Sequence, residues 1–249
     1  MTETILKTRG LTKRFGALTA VDNFDIDVVK NSIHSIIGPN GAGKTTLFNL
    51  ITGMVKPDSG SIVFNSVETT NLPPHKLCQL GMCRSFQITS IFPGLTVKEN
   101  VSLACESSSG GLNIFSSVLR FSDASAKADE ILKQLQLWGR RDELAANLSH
   151  GEQRLLEIAI ALATDPKLLL LDEPTSGMTD LESRRVARLI KEITMSRDLT
   201  VVMIEHDLEV VKEISDIITV MHMGKKVAEG RAEELRLNPQ VKEIYLGEF

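Results

Sequence analysis

The chain has 249 residues, 42% apolar and 24% charged, with a formal net charge of −4. That length suits one α/β domain with a subdomain, or two small domains. The near-average composition excludes wholesale disorder, and the acidic balance gives no electrostatic footing for nucleic acid. Cys78, Cys83 and Cys105 are odd in number and form no C-x-x-C pair. This argues against a disulfide framework or zinc site, and for packing roles in a reducing compartment. No apolar run approaches the roughly 20 residues that cross a bilayer, and the opening Met1-Thr2-Glu3-Thr4 does not look like a secretory signal. The expectation is a cytoplasmic chain that reaches a membrane only through a partner.

In chain order, Ile5 to Phe15 and Val21 to Val29 alternate apolar and polar side chains and are expected as antiparallel strands, with Gly10 and Gly16 near the turns. Phe15, at the end of the first, could stack on a nucleobase or belong to the core; spacing alone does not decide. The apolar run Ile33 to Ile37 then leads into Gly38-Pro39-Asn40-Gly41-Ala42-Gly43-Lys44-Thr45-Thr46, which fits the phosphate-loop pattern Gly-x-x-x-x-Gly-Lys-Thr without a gap. Its three glycines let the backbone wind tightly, so that N–H groups converge on phosphate oxygens at the start of the helix that follows. Lys44 is placed to reach β- and γ-phosphates, and the Thr45 hydroxyl to sit on Mg²⁺. A strand-to-helix context around the loop makes a triphosphate site the reading, against an ordinary glycine-rich turn.

Beyond Gly53 and Pro57-Asp58-Ser59-Gly60, a short strand is expected at Ser61 to Phe64, a short helix at Lys76 to Leu80 and a strand from Met82 to Phe86, ending at Gln87. Composition changes from there to about Leu148. Val97 to Ala104 reads as helix, Ser107 to Gly111 as a flexible tract, and Ser122 to Leu137 as an amphipathic helix capped by Ser122. Helices Gln153 to Ala163, Leu181 to Thr194 and Leu208 to Ile214 then alternate with strands Leu168 to Leu171, Thr200 to Ile204 and Ile217 to Met221. This alternation implies crossover units and a parallel sheet.

Two further constellations carry chemistry. In Leu148-Ser149-His150-Gly151-Glu152-Gln153, Ser149 and Glu152 form a capping box that starts a helix. A serine hydroxyl, a glycine amide and a helix N-terminus also make a second anion site. One nucleotide does not need two separate γ-phosphate sites, and a head-to-tail pair of chains, each closing its serine loop over the other's phosphate loop, resolves the redundancy. In Leu168-Leu169-Leu170-Leu171-Asp172-Glu173-Pro174, two carboxylates stand just past a strand buried on both faces, where parallel sheets place ligands. Taken alone they could be a solvated turn. With a phosphate loop in the same chain, Asp172 is assigned to the metal and Glu173 to the base that orients and deprotonates the attacking water.

The ordered set of phosphate loop, Gln87, Leu148 to Gln153, the strand ending in Glu173, and His206 resembles the ATP-binding subunit of ATP-binding cassette (ABC) transporters over essentially the whole chain. The resemblance implies an α/β fold of the P-loop NTPase (RecA-like) type: a mixed, mainly parallel sheet flanked by helices, an antiparallel β subdomain and an inserted α-helical subdomain. It implies one domain over 1–249, with the core at about 1–87 and 158–235, the insert at about 88–157 and a helical tail at about 236–249. By the same resemblance Phe15 stacks on adenine, Gln87 joins Mg²⁺ and nucleotide to the membrane subunits, and Ser149, Gly151 and Glu152 belong to the signature that grips the partner's ATP. His206 falls at the switch histidine for the γ-phosphate, although a His after a strand, taken alone, is more often a hydrogen-bonded turn residue. The implied ligands are ATP and Mg²⁺. The implied partners are permease subunits, a second ATP-binding subunit (identical or a related paralogue) and, indirectly, a solute-binding protein; the location is the cytoplasmic face of the inner membrane.

The chain departs from the family pattern in two motifs. His150 and Glu152 replace the third and fifth residues of Leu-Ser-Gly-Gly-Gln, and Thr179 replaces the aspartate usual after the catalytic glutamate. Both resemble the branch that serves hydrophobic amino-acid and amide uptake, as does the ending Asn238 to Gly247. Branched-chain amino-acid import is the expectation, with urea or amide import and lipopolysaccharide export as alternatives. A soluble ABC ATPase acting on DNA or ribosomes is disfavoured by the short segment between the nucleotide motifs and the single cassette. A P-loop GTPase or kinase would leave Ser149 to Gln153 and His206 without roles, and no Asn-Lys-x-Asp motif occurs.

Overall fold

Side-chain alternation divides one central sheet between two hydrophobic cores. The computed structural model describes residues 3–85, 91–108 and 117–245. The strands are β1 (Thr4–Phe15), β2 (Leu18–Val29), β3 (Ile33–Ile37), β4 (Ser59–Phe64), β5 (Val67–Glu68), β6 (Met82–Arg84), β7 (Leu168–Asp172), β8 (Thr200–Ile204), β9 (Ile217–His222) and β10 (Lys225–Gly230). The helices are α1 (Lys44–Ile51), α2 (Pro74–Gln79), α3 (Val97–Ser108), α4 (Ser117–Gln134), α5 (His150–Leu162), α6 (Asp180–Ser196), α7 (Leu208–Ile214), α8 (Ala232–Leu235) and α9 (Pro239–Ile244). A six-stranded sheet runs in the order β10-β9-β3-β8-β7-β6, parallel except for β10 at its edge, and a four-stranded antiparallel sheet runs β2-β1-β4-β5.

Successive residues of a strand point to opposite faces, and the four leucines of β7 show what that achieves. Leu168 and Leu170 enter the core made with the antiparallel sheet and α1, where Phe24, Phe48 and Phe64 are fully buried. Leu169 and Leu171 enter the core made with α3 to α7. A strand covered on both faces is mostly apolar, and β3, β7 and β8 have no exposed position; their few polar residues, His34, Ser35, Asp172 and Thr200, are buried with the rest. Within the helical side, α3 packs on both α4 and α5.

Several boundaries differ from expectation. Gly10 is not at a turn. It lies inside β1 with φ of 58°, where the pairing with β2 shifts register, so it serves a bulge. Ser122 lies inside α4, which begins at Ser117, and so does not cap it. Ser107 and Ser108 belong to α3, whose helix continues into the stretch expected to be flexible. β6 ends at Arg84, two residues short of Phe86. Cys105 is buried as expected, but Cys78 is exposed.

Candidate functional site

Strand order brings the chemistry together. β3, β8 and β7 are neighbours, and the phosphate loop, His206 and the Asp172–Glu173 pair leave the C-terminal ends of these three strands in turn. The resulting cleft, of about 640 Å³, is lined by Asn40 to Thr46, Glu173 and His206, with Phe15, Leu18 and Met223 on its walls.

The loop is wound as tightly as its glycines allow. Gly43 precedes α1 with φ of 102°, and a Cβ there would lie 2.1 Å from the Ala20 carbonyl oxygen; a Cβ on Gly38 would lie 2.0 Å from that of Met221. β2 and β9 therefore press directly on the loop backbone, and the Gly224 N–H bonds to the Ala42 carbonyl at 2.9 Å. Lys44 folds back on the loop, its Nζ donating to the carbonyls of Gly38 at 2.6 Å and Pro39 at 3.1 Å. Burial lowers its pKa, while Glu173 and Asp172 act in the opposite direction. Thr45 is exposed toward the cleft, whereas Gly38 is buried beneath it. Phe15 is half exposed, with Lys13 Nζ 5.6 Å from its ring centre.

Opposite the loop, Glu173 takes a left-handed backbone, φ of 49°, as its N–H bonds to Ile204 O at 2.9 Å. Its Oε1 meets His206 Nε2 at 2.7 Å. An ionised carboxylate can only accept, so Nε2–H is the donor. Asp172 is buried at the end of β7, and Arg84 Nη2 donates to its Oδ2 at 2.7 Å while Arg84 Nη1 donates to Asn49 Oδ1 on α1, also at 2.7 Å. The other Asp172 oxygen, Oδ1, is buried and has no hydrogen-bond partner among the described residues. Glu205, next to His206, is buried and hydrogen-bonded to Thr175; burial raises its pKa and these hydrogen bonds oppose the shift.

Ser149, His150, Gly151 and Glu152 stand apart from the cleft lining. Ser149 caps α5, accepting from the Glu152 N–H at 3.3 Å, and Glu152 Oε2 accepts from the Ser149 N–H at 2.9 Å. Arg140 Nε takes the other Glu152 oxygen at 3.1 Å, so that carboxylate is fully engaged in holding the helix start. Ser149 lies exposed at the surface. His150 Nε2 lies 3.2 Å from the Ser176 carbonyl, joining this corner to the loop after Glu173, and Thr179 forms a second capping box, with Glu182, at the start of α6. Gln87 lies outside the described residues.

The chain also matches known proteins. A model of the ABC transporter family matches residues 21–176. The chain belongs to the ABC transporter family. This ABC cassette is 38% identical, over the full length of both chains, to the high-affinity branched-chain amino acid transport ATP-binding protein LivG of Escherichia coli K12. Among solved structures it resembles the ADP conformation of MJ1267, an ATP-binding cassette of an ABC transporter, at 36% identity and a TM-score of 0.86, covering 99% of this chain and 100% of that one. It also resembles the dimeric post-hydrolysis cassette MJ0796 bound to ADP and Pi, at 27% identity and a TM-score of 0.77, covering 91% and 98%. The α/β P-loop NTPase fold expected of an ABC ATPase is therefore the fold found.

Three residues of the site had no signal in the motifs. Arg84 is a lone cation in a short strand, Glu205 sits between an apolar run and a histidine, and Arg140 is remote in sequence from the Glu152 it anchors. Only the third could have been suspected, from an acid left over after capping.

Proposed function

We propose that this chain is the ATP-hydrolysing subunit of a branched-chain amino-acid importer. It works with a second ATP-binding subunit, identical or paralogous, on the cytoplasmic face of the inner membrane, where it drives permease subunits supplied by a solute-binding protein. Among the described residues no helix is long and apolar enough to cross a membrane. The observation that carries the ATPase reading is the Glu173–His206 contact standing across the cleft from the phosphate loop. Likeness to a branched-chain amino acid transport protein over the whole chain supports the solute.

In this reading the loop amides and the start of α1 hold the β- and γ-phosphates, and Lys44 exchanges its carbonyl partners for phosphate oxygens. Phe15 offers its exposed ring to the adenine. Glu173 holds the attacking water and accepts its proton as the water oxygen bonds to the γ-phosphorus and the bond to the β-phosphate oxygen breaks, releasing ADP and phosphate. The γ-phosphate competes with Glu173 for the His206 Nε2–H, so nucleotide binding frees the base. Hard oxygen donors suit Mg²⁺. The buried Oδ1 of Asp172, without a hydrogen-bond partner among the described residues, and the hydroxyl of the exposed Thr45 fit it, with Gln87 assigned to the same ion. When bound, Mg²⁺ neutralises charge on the phosphates. Ser149 and Gly151, apart from their own cleft, complete the cleft of the second subunit, and the approach of the two cassettes on ATP moves the permeases.

Glu173→Gln is the test. ATP binding should persist, hydrolysis should fall by about 10² to 10⁴, and light scattering with saturating ATP should show a stable dimer. Normal hydrolysis would place the base elsewhere. For the solute, the chain and its permeases in vesicles should couple leucine uptake to ATP hydrolysis, and uptake of urea in place of leucine would overturn that part.

A further inference from the structure

Glu205 directly follows β8, between Ile204 and His206, is 2% exposed, and has no part in the roles above. Its Oε1 accepts from the Thr175 N–H at 3.0 Å and from the Thr175 hydroxyl at 2.7 Å, and its Oε2 accepts from the His206 N–H at 3.1 Å. One carboxylate thus ties the backbone two residues beyond Glu173 to the backbone of His206. A buried carboxylate is expensive unless its oxygens are satisfied, and this one uses both on the two loops that carry the Glu173–His206 pair.

We propose that Glu205 is a positioning residue for hydrolysis, a staple that fixes Glu173 and His206 at the separation at which they act. Glu173 leaves β7 in a left-handed turn anchored by its own N–H to Ile204 O and by the Ser176 N–H to Glu173 O at 3.1 Å. Neither bond reaches His206, so, beside the Glu173–His206 contact that nucleotide is proposed to break, the staple is the link among the described residues that holds the His206 backbone to the loop after Glu173. Thr175, itself 4% exposed, is the receiving end and contributes two of the three hydrogen bonds. The proposal rests on the reading of Glu173 and His206 as the hydrolytic pair and deepens it. Misplacing a reacting group by about 1 Å lowers the rate about a hundredfold, whereas the phosphate loop, built by β2, β3, β9 and α1, makes none of these bonds.

The test uses the whole chain with Mg-ATP. In Glu205→Gln a side-chain NH₂ must face a backbone N–H, so kcat should fall about 10- to 100-fold while the Kd for ATP stays within about twofold. Hydrogen exchange should accelerate at Thr175 and His206 and not in β3 or α1. Thr175→Val, which removes one bond of the staple, should lower kcat less and combine non-additively with the first change. If Glu205→Gln does not fold, Thr175→Val decides alone: lowered kcat at unchanged Kd supports the staple, and unchanged kcat overturns it. Wild-type kcat in Glu205→Gln overturns it too, as does a parallel loss of kcat and affinity with faster exchange throughout, which marks a purely structural residue. Failure of the underlying reading looks different: the unaltered chain does not hydrolyse ATP, or Glu173→Gln hydrolyses normally.

Discussion

Arg84 and Asp172 face each other at 2.7 Å, Nη2 to Oδ2, with their side chains 9% and 0% exposed. The pair joins the strand leading toward Gln87 to the strand that ends in the proposed metal and base residues. Arg84 also reaches Asn49 on α1 and lies over the Phe48 ring, 5.5 Å from its centre. Removing one partner of a buried ion pair leaves the other uncompensated, and the loss exceeds what the pair itself contributes. Arg84→Met should therefore lower unfolding free energy by about 3–5 kcal/mol. Arg84→Lys keeps the charge but not the two-pronged reach, and should lose about 1–3 kcal/mol. Urea denaturation of the three chains checks the order.

Lys44→Ala should act on binding before chemistry. A charge-assisted hydrogen bond contributes about 1.5–3 kcal/mol, so ATP affinity should weaken about 10- to 100-fold. Titration with a fluorescent ATP analogue reads this directly. Glu173→Gln in the same assay should bind as the parent chain does, and that contrast separates the phosphate grip from the base.

His34 on β3 supplies a pH prediction independent of nucleotide. It is buried, its Nε2 is 2.8 Å from Thr219 Oγ1, and burial, with a smaller effect of Lys226, lowers its pKa from 6.5 to about 3. The folded-state value lies below the unfolded one, so the stability contribution is fully present above pH 6.5 and drains away as pH falls toward 3, where the unfolded chain takes up a proton that the fold refuses. Between about pH 7.5 and about pH 5.5 this amounts to about 1.4 kcal/mol. His34→Gln should flatten that part of the profile, measured by chemical unfolding at the two pH values.

What could be read from sequence follows the range of the forces involved. β8 and α7 lie at the residues expected because an apolar run or a 3.6-residue period is a local pattern. The phosphate loop and the capping box at Ser149 are likewise local. Ser122 misled because a serine prefers a cap only where a helix begins, and α4 had begun at Ser117. Arg84 and Glu205 were invisible for a different reason. Their partners are 88 and 30 residues away, and only the order β8-β7-β6 brings them together.

With Glu173 in its proposed role as the base, its left-handed backbone sets stability against activity at one position. A residue with a Cβ is strained there by about 1 kcal/mol, whereas Gly occupies such a site freely and Asn nearly so. A library of this chain sorted only for survival after heating should therefore enrich Gly or Asn at 173, returning sturdier proteins that still grip nucleotide and, on the role proposed for Glu173, no longer cleave it.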